Sequence, residues 1–526
     1  PVVETYLRHG GMTALDEAAP DMVTRVVAAL ATVDRHFSPS PRESEDFAQR
    51  LGQDIDAGRI VLSPTIMANA GRGPPRPLAT CAAPPVNLRS DLRTIQSVVD
   101  RYHQAGMGTG FNLDGLEDPV AMLQFLNYVA AVGTGTTGTS TGAASGTSGS
   151  TAPPDMELGL PIADAKQPMG NIALLSLSHP RADDFVASKV GASSEGEAWR
   201  FNIALRVHDA DIHAALRRPG RERSLLFAAA RAAHTCSEPG LVFIDRLEES
   251  NPTPFLGPYM STSPYAEVGL LAGETCVFGQ VNLARFHREA PRSIPVDFDA
   301  LAETVYTLVR ALDDAVEVGL TLHPTALSSE LTRANRKIAL GVCGLADLLN
   351  LAGVPYDSLQ GHVIAQEVLA YVGYVAKLAS VELAVRRDPC PAVARGRSRY
   401  ADPDFLRRFT VIDVRSVTNG DWAALADRVA ESGLLRNVAT TAIPPTPQSA
   451  ALVGASNGID PVRVATNGRA NPTGHLTMAA AVQACVDEAV STTIHLPAGT
   501  GPDDVYDTYI AAWELRCKSV AVAVDD

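Results

Sequence analysis

Three short β-rich runs, "GNIALLSLS" (170–178), "FNIALRV" (201–207) and "GLVFIDRL" (240–247), alternate with segments of helical pattern. Strands interleaved with helices predict an α/β core inside a helical shell. Helical spacing of apolar residues marks 12–37, 43–58, 91–106 and 118–132, and later 295–319, 336–353 and 364–387. Between them, "RIVLSPTIMANAG" (59–71) breaks at Pro64 and Gly71, and "GMGTGFNL" (106–113) reads as a turn. In "TSPYAEVGLLAGETCVFGQVNL" (262–283) a proline–aromatic corner, an acid and a cysteine lead into an apolar run that reads as a strand entering a core.

With 526 residues, 46% of them hydrophobic, the chain can build two or three units or one large barrel. Residues 133–154, rich in Gly, Ser and Thr, read as a flexible loop. A phosphate cradle there would need a preceding strand and a following Lys-Ser/Thr, and neither is present. The net charge of -15 argues against a broad nucleic-acid surface but leaves small phosphorylated ligands open. Seven scattered cysteines without a CxxC give neither a disulfide scaffold nor a zinc site. No signal segment or bilayer-length apolar run stands out, so the sequence predicts a soluble cytoplasmic protein without metal or membrane.

Several motifs stand in a telling order: "LSPTIMANAG", "LATCAAP", "GMGTGF", "RFNIALRV", "TSPYAEVGLLAGETCVFGQVNLARF", "RKIALGVCGLADLLNLAGVPYDS", "RNVATTAIPPTPQSAALVGASNGIDPV", and a last segment from "AAVQACVDEAVSTTIHLP" to "KSVAV". Together they resemble the catalytic subunit of ribonucleotide reductase, and most of all its adenosylcobalamin-dependent class II. The resemblance covers nearly the whole chain. It implies a ten-stranded α/β barrel (76–526) behind a helical N-terminal region (1–75), a nucleotide or nucleotide-like substrate, adenosylcobalamin as cofactor, and a homodimer. In that family a finger loop brings a radical cysteine to the sugar 3′ hydrogen, and a facing cysteine pair reduces the 2′ position. A glutamate acts as base, and an asparagine holds the substrate.

Carried over by position, Cys81 and Cys276 match the reducing pair and Glu267 the glutamate. Tyr265 stands where the radical cysteine belongs, and Ser263 where the asparagine belongs. Ser63, Thr65 and Thr80 fall at positions for ribose or phosphate contacts. Thr446, Gln448 and Ser449 fall in the phosphate segment, where Pro447 replaces a glycine and removes both an N–H and a turn. "AKQPMGN" replaces an arginine run. No cysteine pair follows in "VAVDD", which implies a small thiol or an external protein as reductant.

Structural alternatives stand beside these assignments. Ser63, Thr65 and Thr80 suit turns and caps around Pro64. Glu267 suits a base or a cap of loop N–H groups. Cys81 and Cys276 suit a redox pair or two inert buried thiols. Cys343 reads as helical core, and His475 and His495 as structural.

Tyr265 decides the chemistry. A thiyl radical suits hydrogen abstraction because S–H and activated sugar C–H bonds are close in strength. A phenol O–H bond is weaker, so abstraction runs uphill, and each ~1.4 kcal/mol costs about tenfold in rate. Tyr265 is then a space-filling aromatic, a proton donor, clamp or radical relay in a repurposed site, or an inactivating substitution in a true reductase. The reading that follows is a diverged reductase-like enzyme whose reaction is not ordinary ribonucleotide reduction. An inactive barrel that binds a nucleotide, a cobalamin or a protein is the alternative.

Overall fold

The computed structural model describes residues 19–132, 170–191, 199–289, 294–394, 396–411, 414, 416–445, 447–461 and 471–525. The low-complexity run 133–154 and Thr446 lie outside them. The described residues hold twelve strands: β1 (Ile60–Leu62), β2 (Cys81–Ala82), β3 (Gly108–Asn112), β4 (Asn171–Ser176), β5 (Asn202–Val207), β6 (Gly240–Phe243), β7 (Ser261–Thr262), β8 (Gly269–Leu270), β9 (Thr275–Asn282), β10 (Ile338–Cys343), β11 (Thr493–Leu496) and β12 (Ser519–Val524). Ten of them form one sheet in the order β1-β9-β2-β3-β4-β5-β6-β12-β11, with β10 on the other side of β9. The α/β architecture with ten strands is as the sequence implies.

The run from β2 to β6 is parallel, as helical crossovers require. It meets β9 and β12 through antiparallel pairs. β9 is buried along all eight of its residues. One side of it packs on the helix Phe298–Gly319, where Leu308 and Leu312 come so close to Gly279 that a Cβ there would lie 2.9 Å from Leu308. That helix is capped by Asp297, whose side chain accepts from the Ala300 N–H at 3.1 Å. β1 lies N-terminal to residue 76 and is nonetheless part of the same sheet, and one core cluster runs from Met22 to Val490.

Several sequence expectations change. The run 240–247 is a strand only over Gly240–Phe243, and Ile244–Glu249 is helical. The segment 106–113 is not a turn but contains β3. Its glycines look like turn residues, yet Gly110 serves close approach, since a Cβ there would lie 1.9 Å from the Thr262 carbonyl oxygen. The segment 336–353 is not one helix. Ile338–Cys343 is β10, so Cys343 sits on a buried strand, and only Leu345–Leu351 is helical. A short apolar run does not distinguish buried strand from buried helix, and Gly344, at φ +73°, separates the two.

The helix Leu359–Arg387 is also longer than the sequence reading allowed. It is long and apolar enough to cross a membrane by composition, but 72% of its most apolar window is buried inside the fold.

Candidate functional site

β2 and β9 place Cys81 directly opposite Cys276. Directly paired residues share a face of the sheet, so the two side chains are neighbours. Both are buried and unbridged. Burial pushes both thiols well up from their usual range. The Glu267 carboxylate adds to this at Cys81, and the Lys337 ammonium opposes it at Cys276.

β7 and β8 form a separate two-stranded ribbon, and their connection, residues 263–268, carries Tyr265 and Glu267. Internal bonds close this loop. Ser263 N–H donates to Val268 O (2.9 Å) and Ala266 N–H to Ser263 O (3.0 Å). The Ser263 hydroxyl oxygen accepts from Val268 N–H at 2.9 Å. Ala266 holds φ +61°, a left-handed conformation that costs a residue with a Cβ, and the closed loop compels it. The neighbouring chain fixes the loop from outside. The Asn202 amide donates to Pro264 O (3.0 Å) and Ala489 N–H to Glu267 O (2.9 Å).

Glu267 is 2% exposed and accepts from the Tyr265 N–H at 3.0 Å. Burial raises its carboxyl above the ordinary range, against the hydrogen bonds of Ser263 and the backbone. Tyr265 itself is 48% exposed. A Cβ on Gly170 would lie 3.2 Å from its hydroxyl, so the phenol lies along a backbone that carries no side chain. Partial burial, then the charge of Glu267, then that of Cys81, raise the hydroxyl. The arrangement unites an accessible phenol, a buried carboxyl held above its ordinary range, and two facing thiols.

Of the remaining predicted residues, Ser63 and Thr80 border β9. Thr80 N–H donates to Cys276 O (2.9 Å), Ser63 N–H to Phe278 O (3.2 Å), and the Thr80 hydroxyl meets the Ser63 hydroxyl at 3.1 Å. Ser63 also caps the helix Pro64–Asn69, with Ile66 N–H at 3.4 Å, and Thr65 is buried and donates to Gly106 O at 3.4 Å. Ser63 therefore has the cap role expected of it and also stands beside the thiol pair. The helix Pro447–Leu452 buries Ser449, exposes Gln448, and lays Ala450 against Val61 of β1. His475 is buried with its Nε2 2.8 Å from the Thr492 hydroxyl, a structural histidine.

The ribonucleotide reductase barrel domain matches residues 217–474 and 464–523 of this chain. A vitamin B12-dependent ribonucleoside-diphosphate reductase of Mycobacterium tuberculosis is 31% identical, over 99% of this chain and 78% of its own length. The chain belongs to the ribonucleotide reductase family. A vitamin B12-dependent ribonucleoside-diphosphate reductase of Thermoplasma acidophilum is 27% identical over 88% of the chain and 63% of its own length. A vitamin B12-dependent ribonucleotide reductase of Streptomyces coelicolor is 22% identical over 100% of the chain and 64% of its own length. The family and its B12-dependent class are thus those the sequence motifs resemble.

Within this ribonucleotide reductase barrel, sequence reasoning missed two sets of residues. Lys337, Glu274, Glu488 and Tyr259 form a buried polar cluster beside Cys276. The signals for it were a basic pair ahead of an apolar run, "RKIAL", and an acidic pair inside another, "ACVDEAV". Gln280, on β9 opposite Val61, is 2% exposed with no partner for its Oε1 among the described residues. Nothing local in the sequence marks it.

Proposed function

We propose that this chain is a redox enzyme acting on the sugar of a ribonucleotide or a close analogue, in a reaction other than ordinary ribonucleotide reduction. In this reading the substrate lies between the Ser63–Thr80 hydroxyls and the Cys81–Cys276 pair. Gln448 and Ser449 face its phosphates, and Ser263 belongs to the loop that covers it. Glu267 moves a proton at its carboxylate. The two thiols pass two electrons and two protons to the substrate as they close to a disulfide, and an external dithiol reopens it, itself closing to a disulfide. The protein works as a homodimer.

The names of the relatives support adenosylcobalamin as the cofactor. The residues fit such a group in one visible respect: the oxidisable side chain at the loop tip is half exposed and lies against Gly170, which has no side chain of its own. When bound, adenosylcobalamin supplies a hydrogen-abstracting carbon radical. Tyr265 and the backbone around Gly170 are the residues that would meet it.

The observation that carries the proposal is Tyr265 itself, an accessible phenol next to Glu267 and Cys81 where the family resemblance places a thiol. The phenol makes the sugar-hydrogen step uphill and favours its use as a proton donor, clamp or relay. The test is a panel of ribonucleotides with adenosylcobalamin and a dithiol, analysed by mass spectrometry for wild type, Tyr265→Phe and Tyr265→Cys. The expected result is a wild-type product other than a 2′-deoxynucleotide, lost in Tyr265→Phe, with 2′-deoxynucleotide gained in Tyr265→Cys. Equal 2′-deoxynucleotide formation by wild type and Tyr265→Phe would overturn the reading, as would inertness of all three across the panel.

A further inference from the structure

The ribbon that carries the loop is too short to hold itself. Bonds between its strands run from Met260 N–H to Leu270 O and from Ser263 N–H to Val268 O, both 2.9 Å. The intervening pair, Thr262 and Gly269, therefore turns its backbone groups outward, as a non-hydrogen-bonded antiparallel pair must. On one edge the Thr262 carbonyl lies against Gly110 of β3. On the other edge, two opposite charges stand in for a strand. Gly269 N–H donates to Glu488 Oε2 at 3.0 Å, and Gly269 O accepts from Lys337 Nζ at 2.7 Å.

The charges are tied to each other. Lys337 Nζ lies 3.1 Å from Glu274 Oε2 and 3.3 Å from Glu488 Oε1. The Tyr259 hydroxyl donates to Glu488 Oε1 at 3.1 Å, and its ring fills the space where a Cβ on Gly269 would lie, 2.4 Å away. All four residues are at most 2% exposed. Such burial costs several kcal/mol per ion, and well-packed apolar residues would serve stability as well or better. What apolar residues would not supply is a grip on both polar groups of one residue.

We propose that Lys337, Glu488 and Tyr259 are positioning residues of the candidate site, which fix Gly269 and thereby the reach of Glu267 and Tyr265. The proposal rests on the reading of those two residues as working groups. The cluster touches the site at two further points. Ala489, next to Glu488, donates its N–H to Glu267 O at 2.9 Å. Lys337 precedes β10, whose Ile338 pairs with Val277, so the register sets Lys337 beside Cys276.

The test uses the full chain with Glu488→Gln, Tyr259→Phe and Lys337→Met. The hydroxyl titration of Tyr265 is followed by NMR on ¹³C-tyrosine, assigned with Tyr265→Phe, and amide exchange is measured across 261–271. Loss of the grip should move the Tyr265 midpoint down towards the ordinary tyrosine value. It should also speed exchange of the Gly269 amide about tenfold, the worth of one hydrogen bond of ~1.4 kcal/mol, with β10 amides unchanged. A cluster that only fills the core would leave the Tyr265 midpoint where it is in folded variants, and that result overturns the proposal. Should Lys337→Met not fold, the two milder variants decide. A moved midpoint in a protein inert towards every nucleotide would uphold the positioning and overturn the catalytic reading instead.

Discussion

Glu267 is a single buried carboxyl whose burial works against its ionised form. Its folded-state pKa lies above the unfolded one because burial outweighs its hydrogen bonds. The folded chain therefore holds this proton more tightly, and its contribution to stability falls as pH rises through the folded value. Glu267→Gln keeps the shape and removes the ionisation. We expect its stability at pH 7.5 to equal or exceed wild type by up to ~1 kcal/mol, with activity in the nucleotide assay reduced at least ~100-fold. Urea midpoints across pH 5–8 check the first outcome: a variant markedly less stable than wild type at pH 7.5 would mean that the carboxylate is held by contacts stronger than its burial cost. The positions of Cys81, Cys276, Glu267 and Tyr265 were legible in the sequence because their motifs are contiguous. Lys337 and Glu488 were not, since they lie 70 and 221 residues beyond Glu267 in the chain, and only the register of β10 and the bond to Gly269 bring them to the loop.

At the scale of elements, the loop is held by how closely β3 passes it. Gly110 has no room for a methyl group, because its nearest neighbour would be the backbone oxygen of Thr262 at 1.9 Å, which has no side chain to rotate away. Gly110→Ala should therefore cost ~3 kcal/mol or more, at the upper end for overpacking. It should also displace the ribbon, so that exchange at Ser261–Thr262 rises with it. An Ala variant as stable as wild type in urea would show that β3 and the ribbon separate readily. Gly433, at a left-handed helix end (φ 65°) with no backbone crowding under 3.8 Å, is the contrasting case, where Ala costs only the backbone strain. The sequence reading took the glycines of 106–113 as turn formers, which is their commoner use. Their use here, to let a second backbone pass, depends on Thr262, 152 residues away, and has no local signature.

Across the described residues, the helix Ala19–Asp34 is bound to the rest by buried charge as well as by apolar contact. Arg387, at the end of the helix Leu359–Arg387, bonds Asp34 at the end of the helix Ala19–Asp34, and Asp313 (3.1 Å) and Asp314 (2.7 Å) of Phe298–Gly319. Arg336, Arg436 and the Asn437 amide also donate to Asp313, and Arg310 reaches Asp34 at 2.6 Å. Burial works to raise Asp313 and Asp34, but the guanidiniums prevail and hold both below the ordinary carboxylate range. Asp314, with fewer cations, is pushed up. For Asp313 and Asp34 the folded chain binds protons less tightly than the unfolded one. Their stabilisation is thus present above about pH 4 and lost as pH falls through the folded values. Arg387→Met leaves buried carboxylates short of a partner and should cost ~3–5 kcal/mol at pH 7. Because Asp313 and Asp34 then lose part of their depression, the fall of stability below pH 4 should be shallower in the variant than in wild type. Urea titrations at pH 7, 5 and 3.5 test both statements together. A loss of the same size at all three pH values would show that Arg387 acts through packing, with its Phe37 ring contact at 4.9 Å, rather than through the charge it shares among three helices.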